Sequence, residues 1–255
     1  HEYWGDADRP GPLSRSARRK IRLARRYLPR LDGLFCTSTA QATLYRERFP
    51  DLPVELALTG TRPPEPNPRT TFSYTLGYFG SLGGPYPVST ILDGLARCRV
   101  DGARLLVVGA RSESERGALL DQADALGIAD RLEVHGWVPP AQLSAFRERV
   151  DVGVVPLSRS FKTRTNTPLK LLDYLSASLP VIATWADVVT TYVTDGREAL
   201  LVDESSTGWA AAIERMYADF GAYRAMAVAA HQRAGEVTWK RRAERMLETM
   251  AERPT

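Results

Sequence analysis

Apolar and polar positions along this chain alternate between short apolar runs and helical stripes. The runs at 73–79, 104–108, 132–135, 151–156, 180–183 and 199–202 are bounded by glycine, proline or charged residues, which predicts buried strands. Between them, Val88, Ile91, Leu92, Leu95 and Ala96 recur at helical spacing. Further helical patterns cover about 112–126, with Gly127 as a natural stop, then 140–149, 168–178 and 186–193. The last fifty residues read as three helices, 206–219, 221–234 and 238–252. Repeated strand–helix units with all-apolar strands predict a doubly wound, Rossmann-like parallel sheet covered on both faces, an α/β fold. Its crossovers should be right-handed, and ligands should bind beyond the carboxyl ends of the strands, at the switch point.

The first sixty residues follow the same logic but stop short. A helix (14–29), a strand (33–37), a helix (39–48, capped by Ser38 or Thr39) and a strand (54–58) are too little to close a core. They read as the end of a partial N-terminal α/β domain, 1–62. Four prolines between Thr61 and Pro68 then predict a stiff, extended linker, 63–70. The second block runs over 71–236, with a last helical segment at 237–255. The chain opens at His1 without an initiator methionine, which suggests a piece of a longer protein.

Composition adds limits. Hydrophobic residues make up 44% and charged residues 25%, ordinary for a soluble globular protein, and no apolar run reaches membrane-spanning length. Two cysteines, Cys36 and Cys98, and three scattered histidines suggest neither a disulfide framework nor a metal site, so a cytoplasmic location with no metal is expected. The net charge of +4 conceals a basic segment. Arg15, Arg18, Arg19, Lys20, Arg22, Arg25, Arg26 and Arg30 fall within 12–30, which holds no acidic residue. Ala17, Ile21, Ala24, Leu28 and Leu31 form a stripe beneath them. The segment fits a surface helix with a solvated basic face, or one that touches anionic membrane peripherally through 14–30. No aromatic interleaving accompanies the charge, so nucleic acid is not expected as a partner.

Candidate chemistry collects after the strands. Gly77-Tyr-Phe-Gly-Ser-Leu-Gly-Gly84 follows the first strand of the second block. Its glycines permit close backbone approach, so Gly80, Ser81 and Gly83 either face a ligand or make a tight turn. The spacing does not meet the dinucleotide fingerprint. Gly109 and Arg111 end the next strand, and Trp137 and Val138 the third. Either side chain could reach a cleft or lie on the surface. The fullest pattern is Asn166-Thr-Pro-Leu-Lys-Leu-Leu-Asp173. Thr167 reads as the N-cap and Pro168 as the first helical residue, which puts Lys170 in the first turn with Asp173 on its face. A cation there opposes the helix dipole unless an anion binds the same helix end. The preceding loop, 159–164, adds three more cations near the same helix end. A plain Lys–Asp surface pair is the alternative.

These segments, in this order, resemble the donor domain of GT-B glycosyltransferases of family 4, also called group 1. The resemblance runs from Leu76 to about Trp239 and rests on several stretches. They are Leu76-Gly-Tyr-Phe-Gly-Ser-Leu82, Leu105-Leu-Val-Val-Gly109, Val134-His-Gly-Trp-Val138, Pro168-Leu-Lys-Leu-Leu-Asp-Tyr-Leu175, Leu179-Pro-Val-Ile-Ala183 and Asp195-Gly-Arg-Glu-Ala-Leu-Leu-Val202. It implies a nucleotide diphosphate-sugar donor, transfer with retention to a sugar, lipid or small-molecule acceptor, and no obligatory cofactor. It also implies a last helix that crosses back to the first domain. The family's signature pairs two glutamates eight positions apart. Asp173 stands at the second, which would hold the donor ribose, and Thr165 at the first, which touches the sugar. Ser81 replaces a usual arginine, and Tyr86 falls near a usual lysine. The donor site implied comprises Gly80, Ser81, Gly83, Gly109, Arg111, Trp137, Val138, Thr165, Thr167, Leu169, Lys170, Leu172 and Asp173. His1 and Lys170 would be catalytic, with His1 resembling an acceptor-domain histidine. Thr165 and Ser81 also keep open a catalytically inactive nucleotide-sugar-binding or regulatory module, and a sugar-nucleotide epimerase shares the fold.

Overall fold

The structure, a computed structural model, describes residues 14–251, without the side chains of Phe161 and Lys162. His1 therefore lies outside the described residues. Helix α1 (Arg15–Tyr27) starts where the Ser14 hydroxyl accepts the Ala17 amide at 3.0 Å, and it buries Ala17 and Ile21. The predicted stripe is thus its inward face, except that Leu31 is exposed. Strands β1 (Leu34–Cys36) and β2 (Val54–Leu56) pair in parallel around α2 (Thr39–Arg48). Of the two candidate caps, Ser38 is the one used: its hydroxyl accepts the Gln41 amide. Cys36, Ala42, Leu52 and Val54 form the small core of this part.

The main sheet has six parallel strands: β3 (Thr75–Phe79), β4 (Arg104–Ala110), β5 (Leu132–Gly136), β6 (Val152–Val155), β7 (Val181–Thr184) and β8 (Ala199–Val202). Their order is β5-β4-β3-β6-β7-β8. Because strand side chains alternate between faces, each strand feeds two cores. Leu105 and Val107 of β4 pack with α3 (Val88–Arg97), α4 (Glu113–Ala125) and α9 (Ser206–Tyr217). Leu106 and Val108 face the opposite core, with α7 (Leu169–Ser176), α8 (Asp187–Thr190) and α10 (Phe220–Glu236). Short helices α5 (Leu143–Arg147) and α6 (Phe161–Thr165) sit in connections, and α11 (Trp239–Ala251) ends the described chain.

The proline-rich segment is tied to the second block along its length. Thr61 pairs with Thr238, and a β-carbon on Gly60 would lie 2.6 Å from the Trp239 nitrogen, so only glycine fits this crossing. Further on, the Glu65 amide donates to the Ser176 carbonyl, and Arg69 ion-pairs with fully buried Asp151.

Two sequence expectations are corrected. The 159–164 stretch, expected as a loop, contains α6, held at its start by hydrogen bonds between Ser160 and Thr163. Helix α7 begins at Leu169, with Pro168 at the N-cap. Pro168 has ψ 106°, outside the helical region, so Thr167 lies one residue too early to cap.

Candidate functional site

The chain moves from β3 out to β4 and β5, then returns to lay β6 on the other side of β3. That reversal is the switch point where α/β sheets bind ligands. Here the two strands also separate. They pair only at Leu76–Val152 and Gly77–Gly153. Beyond that point the Tyr174 hydroxyl donates to the Gly77 carbonyl (2.9 Å) and accepts the Phe79 amide (3.0 Å). Tyr174 is fully buried, and a β-carbon on Gly153 would lie 2.2 Å from its ring. Helix α7 is therefore locked in register against the split strands.

Lys170 projects from the first turn of this helix. Its ammonium lies 3.9 Å from the ring centroid of Tyr78 and 3.8 Å from that of Tyr86. Tyr78 belongs to the core on the other face of the sheet, so Lys170 reaches across the gap between β3 and β6. Gly80 has φ +141°, and a β-carbon there would lie 3.3–3.4 Å from the end of Lys170. The ammonium is buried and makes no hydrogen bond among the described residues. Two ring faces attract a cation but satisfy none of its three N–H donors. Burial accordingly holds its pKa far below the usual lysine value, at about 7.

The glycine loop shapes the same crevice. Gly83 and Tyr86 bridge a tight turn, with positive φ at Gly83 and Gly84, and this turn places the Tyr86 ring. The Ser81 side chain is exposed, while its carbonyl accepts the Tyr78 hydroxyl at 2.6 Å. Gly109 has φ +129°, and a β-carbon on it would lie 2.4 Å from the Gly80 carbonyl oxygen, so β3 and β4 end in backbone contact. Arg111 folds back to Glu115 (2.8 Å) and to the Leu82 carbonyl (3.3 Å), bracing the loop. Arg111 in turn holds the Glu115 carboxyl below its usual pKa, through hydrogen bonds from its amide and side chain.

Other expected residues are distributed around this centre. Trp137 is exposed at 69% and its amide donates to Ala110, while Val138 packs inward. Leu169 is exposed, but Leu172 is buried in the core, so only its backbone can face a ligand. Thr165 is buried, and its carbonyl accepts the Ser38 hydroxyl at 2.5 Å. Asn166 Oδ1 accepts from Gln41 Nε2 at 3.0 Å, which joins the N-terminal part to the start of α7. Asp173 is about half exposed and faces Arg62 at 3.7 Å. The alternative reading, a plain Lys170–Asp173 surface pair, does not hold, because Lys170 turns inward over the tyrosines and Asp173 faces Arg62. Of the 159–164 cations, Arg159 pairs with Glu204 rather than turning to the helix start. In the sequence Tyr86 only falls near a usual lysine of the family, and Tyr78 carries no signal of its own. Their shared contact with Lys170 is a tertiary fact. Among the described residues no group of three or more His, Cys, Asp or Glu could hold a metal ion, and no helix is long and apolar enough to cross a membrane.

A different cavity, about 530 Å³, lies under the linker between Arg69, Val150 and Leu179. It sits at the amino ends of β6 and β7, the edge away from the switch point, which makes it the weaker candidate.

Comparison with known proteins points the same way. The family described as "Glycosyl transferases group 1" matches residues 73–219. The D-inositol 3-phosphate glycosyltransferase of Segniliparus rotundus is 30% identical over 176 residues, covering 68% of this chain and 38% of that protein. That of Corynebacterium urealyticum is 29% identical over 156 residues, covering 60% and 36%. The chain thus spans under two fifths of the length of these curated relatives in the matched region. Among solved structures, Anabaena Alr3699/HepE in complex with UDP superposes with a TM-score of 0.77 at 17% identity, covering 98% of this chain and 71% of that one. Sucrose-phosphate synthase from Thermosynechococcus elongatus gives 0.74 at 19% identity, covering 94% and 64%. With more than half its residues matched and a six-stranded sheet of the same GT-B architecture, the chain belongs to the group 1 glycosyltransferases.

Proposed function

We propose that this chain is the donor-binding part of a retaining glycosyltransferase that draws on a nucleotide diphosphate-sugar. The observation that carries the reading is Lys170: a buried ammonium without a hydrogen bond, in the first turn of a helix, at the switch point. A diphosphate in that crevice would accept from Lys170 and from the amides at the start of α7, whose dipole favours an anion. When the sugar–phosphate bond breaks, the electron pair stays on the diphosphate. Lys170 and those amides are preorganised to stabilise the charge that develops. Asp173, about half exposed one turn further on, is placed to accept from ribose hydroxyls once it releases Arg62. Trp137 and the Val138 backbone would meet the base, and the residues around Thr165 the transferring sugar. The resemblance implies retention and no obligatory cofactor.

One structural neighbour, Anabaena Alr3699/HepE, is described in complexes with UDP and with UDP-glucose, so uridine nucleotides come first in the test. UDP should raise the melting temperature of the chain, and uridine, which lacks the phosphates, should not. Equal shifts from both, or none from any nucleoside diphosphate, would overturn the reading. The acceptor is proposed to be a sugar, a lipid or a small molecule. Leu23, Tyr27 and Leu31 are exposed beside the arginines of 14–30, which supports peripheral contact with anionic membrane. Preferential binding to anionic over neutral vesicles tests that contact.

A further inference from the structure

Two cavities flank α6, and Lys170 lines neither. One, about 450 Å³, lies at the carboxyl ends of β6 and β7 and is lined by Ser158, Arg159, Thr163, Trp185 and Glu204. The other, about 630 Å³, lies between α2 and α8, lined by Thr39, Thr43, Glu47, Thr190 and Thr191. Arg164 and Asp187 line both, so the two adjoin. Each alone has the size of a small-molecule site. Two in series suit a chain of units better than a single ring.

The lining narrows the chemistry. Trp185 is 60% exposed, yet its amide donates to the Val202 carbonyl at 2.8 Å, so its backbone is fixed to the sheet edge. An exposed, anchored indole offers a flat apolar face. Around it stand hydroxyls, two arginines and three carboxylates: Arg159 and Arg164 against Glu47, Asp187 and Glu204. Arg159 and Glu204 approach to 3.5 Å, which leaves an exposed donor–acceptor pair at the surface. Arginines and carboxylates in near balance do not select a polyanion. They suit a ligand with many neutral hydroxyls and an apolar ring face, which is the chemistry of a neutral sugar. The groove also adjoins the proposed donor crevice: the Ser158 amide donates to the carbonyl of Pro85, within the turn that carries Tyr86.

We propose that this groove binds a neutral oligosaccharide, several sugar units long, as the acceptor or its extension. The proposal rests on the glycosyltransferase reading and names the acceptor class for it. Trp185 stacks on one sugar ring, and Asp187 and Arg164 bridge to the next. Part of the site comes from α2, so the N-terminal part contributes to acceptor choice.

The test is a glycan microarray of neutral and acidic oligosaccharides, probed with the full chain and with Trp185→Ala. UDP-induced melting shifts of both proteins serve as the control. Neutral glycans of several units should be retained by the wild type. They should be lost about tenfold in Trp185→Ala, a change of about 1.4 kcal/mol, with the UDP shift unchanged. Retention of acidic glycans only, or equal retention by both proteins, would overturn the groove. So would the absence of any retained glycan while UDP still stabilises the chain, and that result would leave the donor reading intact. Loss of neutral glycans in Trp185→Ala supports the groove even if UDP gives no shift, in which case the donor reading alone fails.

Discussion

Tyr174 lies against Gly153 so closely that a β-carbon on the glycine would sit 2.2 Å from the ring. The tyrosine hydroxyl bonds to Gly77 and Phe79 where β3 and β6 separate, so this contact sets the position of α7 and of everything it carries. Gly153→Ala should destabilise the chain by at least the roughly 1–3 kcal/mol typical of overpacking, since both sides of the clash are rigid. Tyr174→Phe keeps the ring but leaves a buried amide and carbonyl unpaired, at a cost of about 1–3 kcal/mol. Urea unfolding checks both. A Gly153→Ala chain as stable as wild type would show that α7 is not locked here.

Lys170 should make the ligand-free chain less stable than it could be. Its pKa is about 7 in the folded state, against an ordinary value of 10.5. Between those limits the unfolded chain binds a proton that the folded chain does not. This group's contribution therefore makes stability rise with pH from about 7 to 10.5, and it is flat below. The shift corresponds to a few kcal/mol, at about 1.4 kcal/mol per pH unit. Lys170→Met, which fills the same space without charge, should be more stable at pH 7 and should lose that pH dependence. Chemical denaturation at several pH values reads it. A Lys170→Met chain of equal or lower stability at pH 7 contradicts the burial of a costly ammonium.

Gln41 fixes the amide of Asn166. Because Gln41 Nε2 donates to Asn166 Oδ1, the Asn166 amide nitrogen is turned the other way, at the start of α7. Asn166→Asp keeps the bond from Gln41 but places a negative charge where the diphosphate is proposed to sit. Its affinity for UDP should fall several-fold, while Asn166→Ala should cost less. Calorimetric titration separates the two, and the reverse order would remove Asn166 from the site.

Asp173 and Arg62 are both about half exposed, so their ion pair should contribute under about 1 kcal/mol to stability. Arg62→Ala should therefore leave the melting temperature nearly unchanged. Asp173→Asn should lose the preference for UDP over its 2′-deoxy counterpart, because a neutral amide accepts more weakly than a carboxylate. Competition binding with the two nucleotides measures this. A preference that survives in Asp173→Asn would place the ribose elsewhere.

The sheet was legible because its strands are short apolar runs with helical stripes between them, and both signals are local. Gly80, Gly109 and the start of α7 could be found for the same reason: chain punctuation follows strand ends. Helix α6 was not legible, since its five residues are held by the Ser160–Thr163 hydroxyl bonds rather than by an apolar stripe. The one-residue error at Pro168 came from a proline that fits either side of a helix start. Lys170 could be located but not oriented. Its partners Tyr78 and Tyr86 lie on another strand and another loop, and nothing in helical spacing links them.

The central claim, that Lys170 holds the donor diphosphate, is tested most directly by calorimetry of UDP binding at pH 8 in buffers of different ionisation enthalpy. Free Lys170 is mostly neutral at that pH, given a pKa of about 7, and a bound diphosphate restores its charge. Wild type should take up close to one proton per UDP bound and should bind more weakly as pH rises above 7. Lys170→Ala should lose about 1.5–3 kcal/mol of affinity, the range for a charged hydrogen bond, and take up no proton at this site. Unchanged affinity in Lys170→Ala, with the same proton uptake as wild type, would contradict the account.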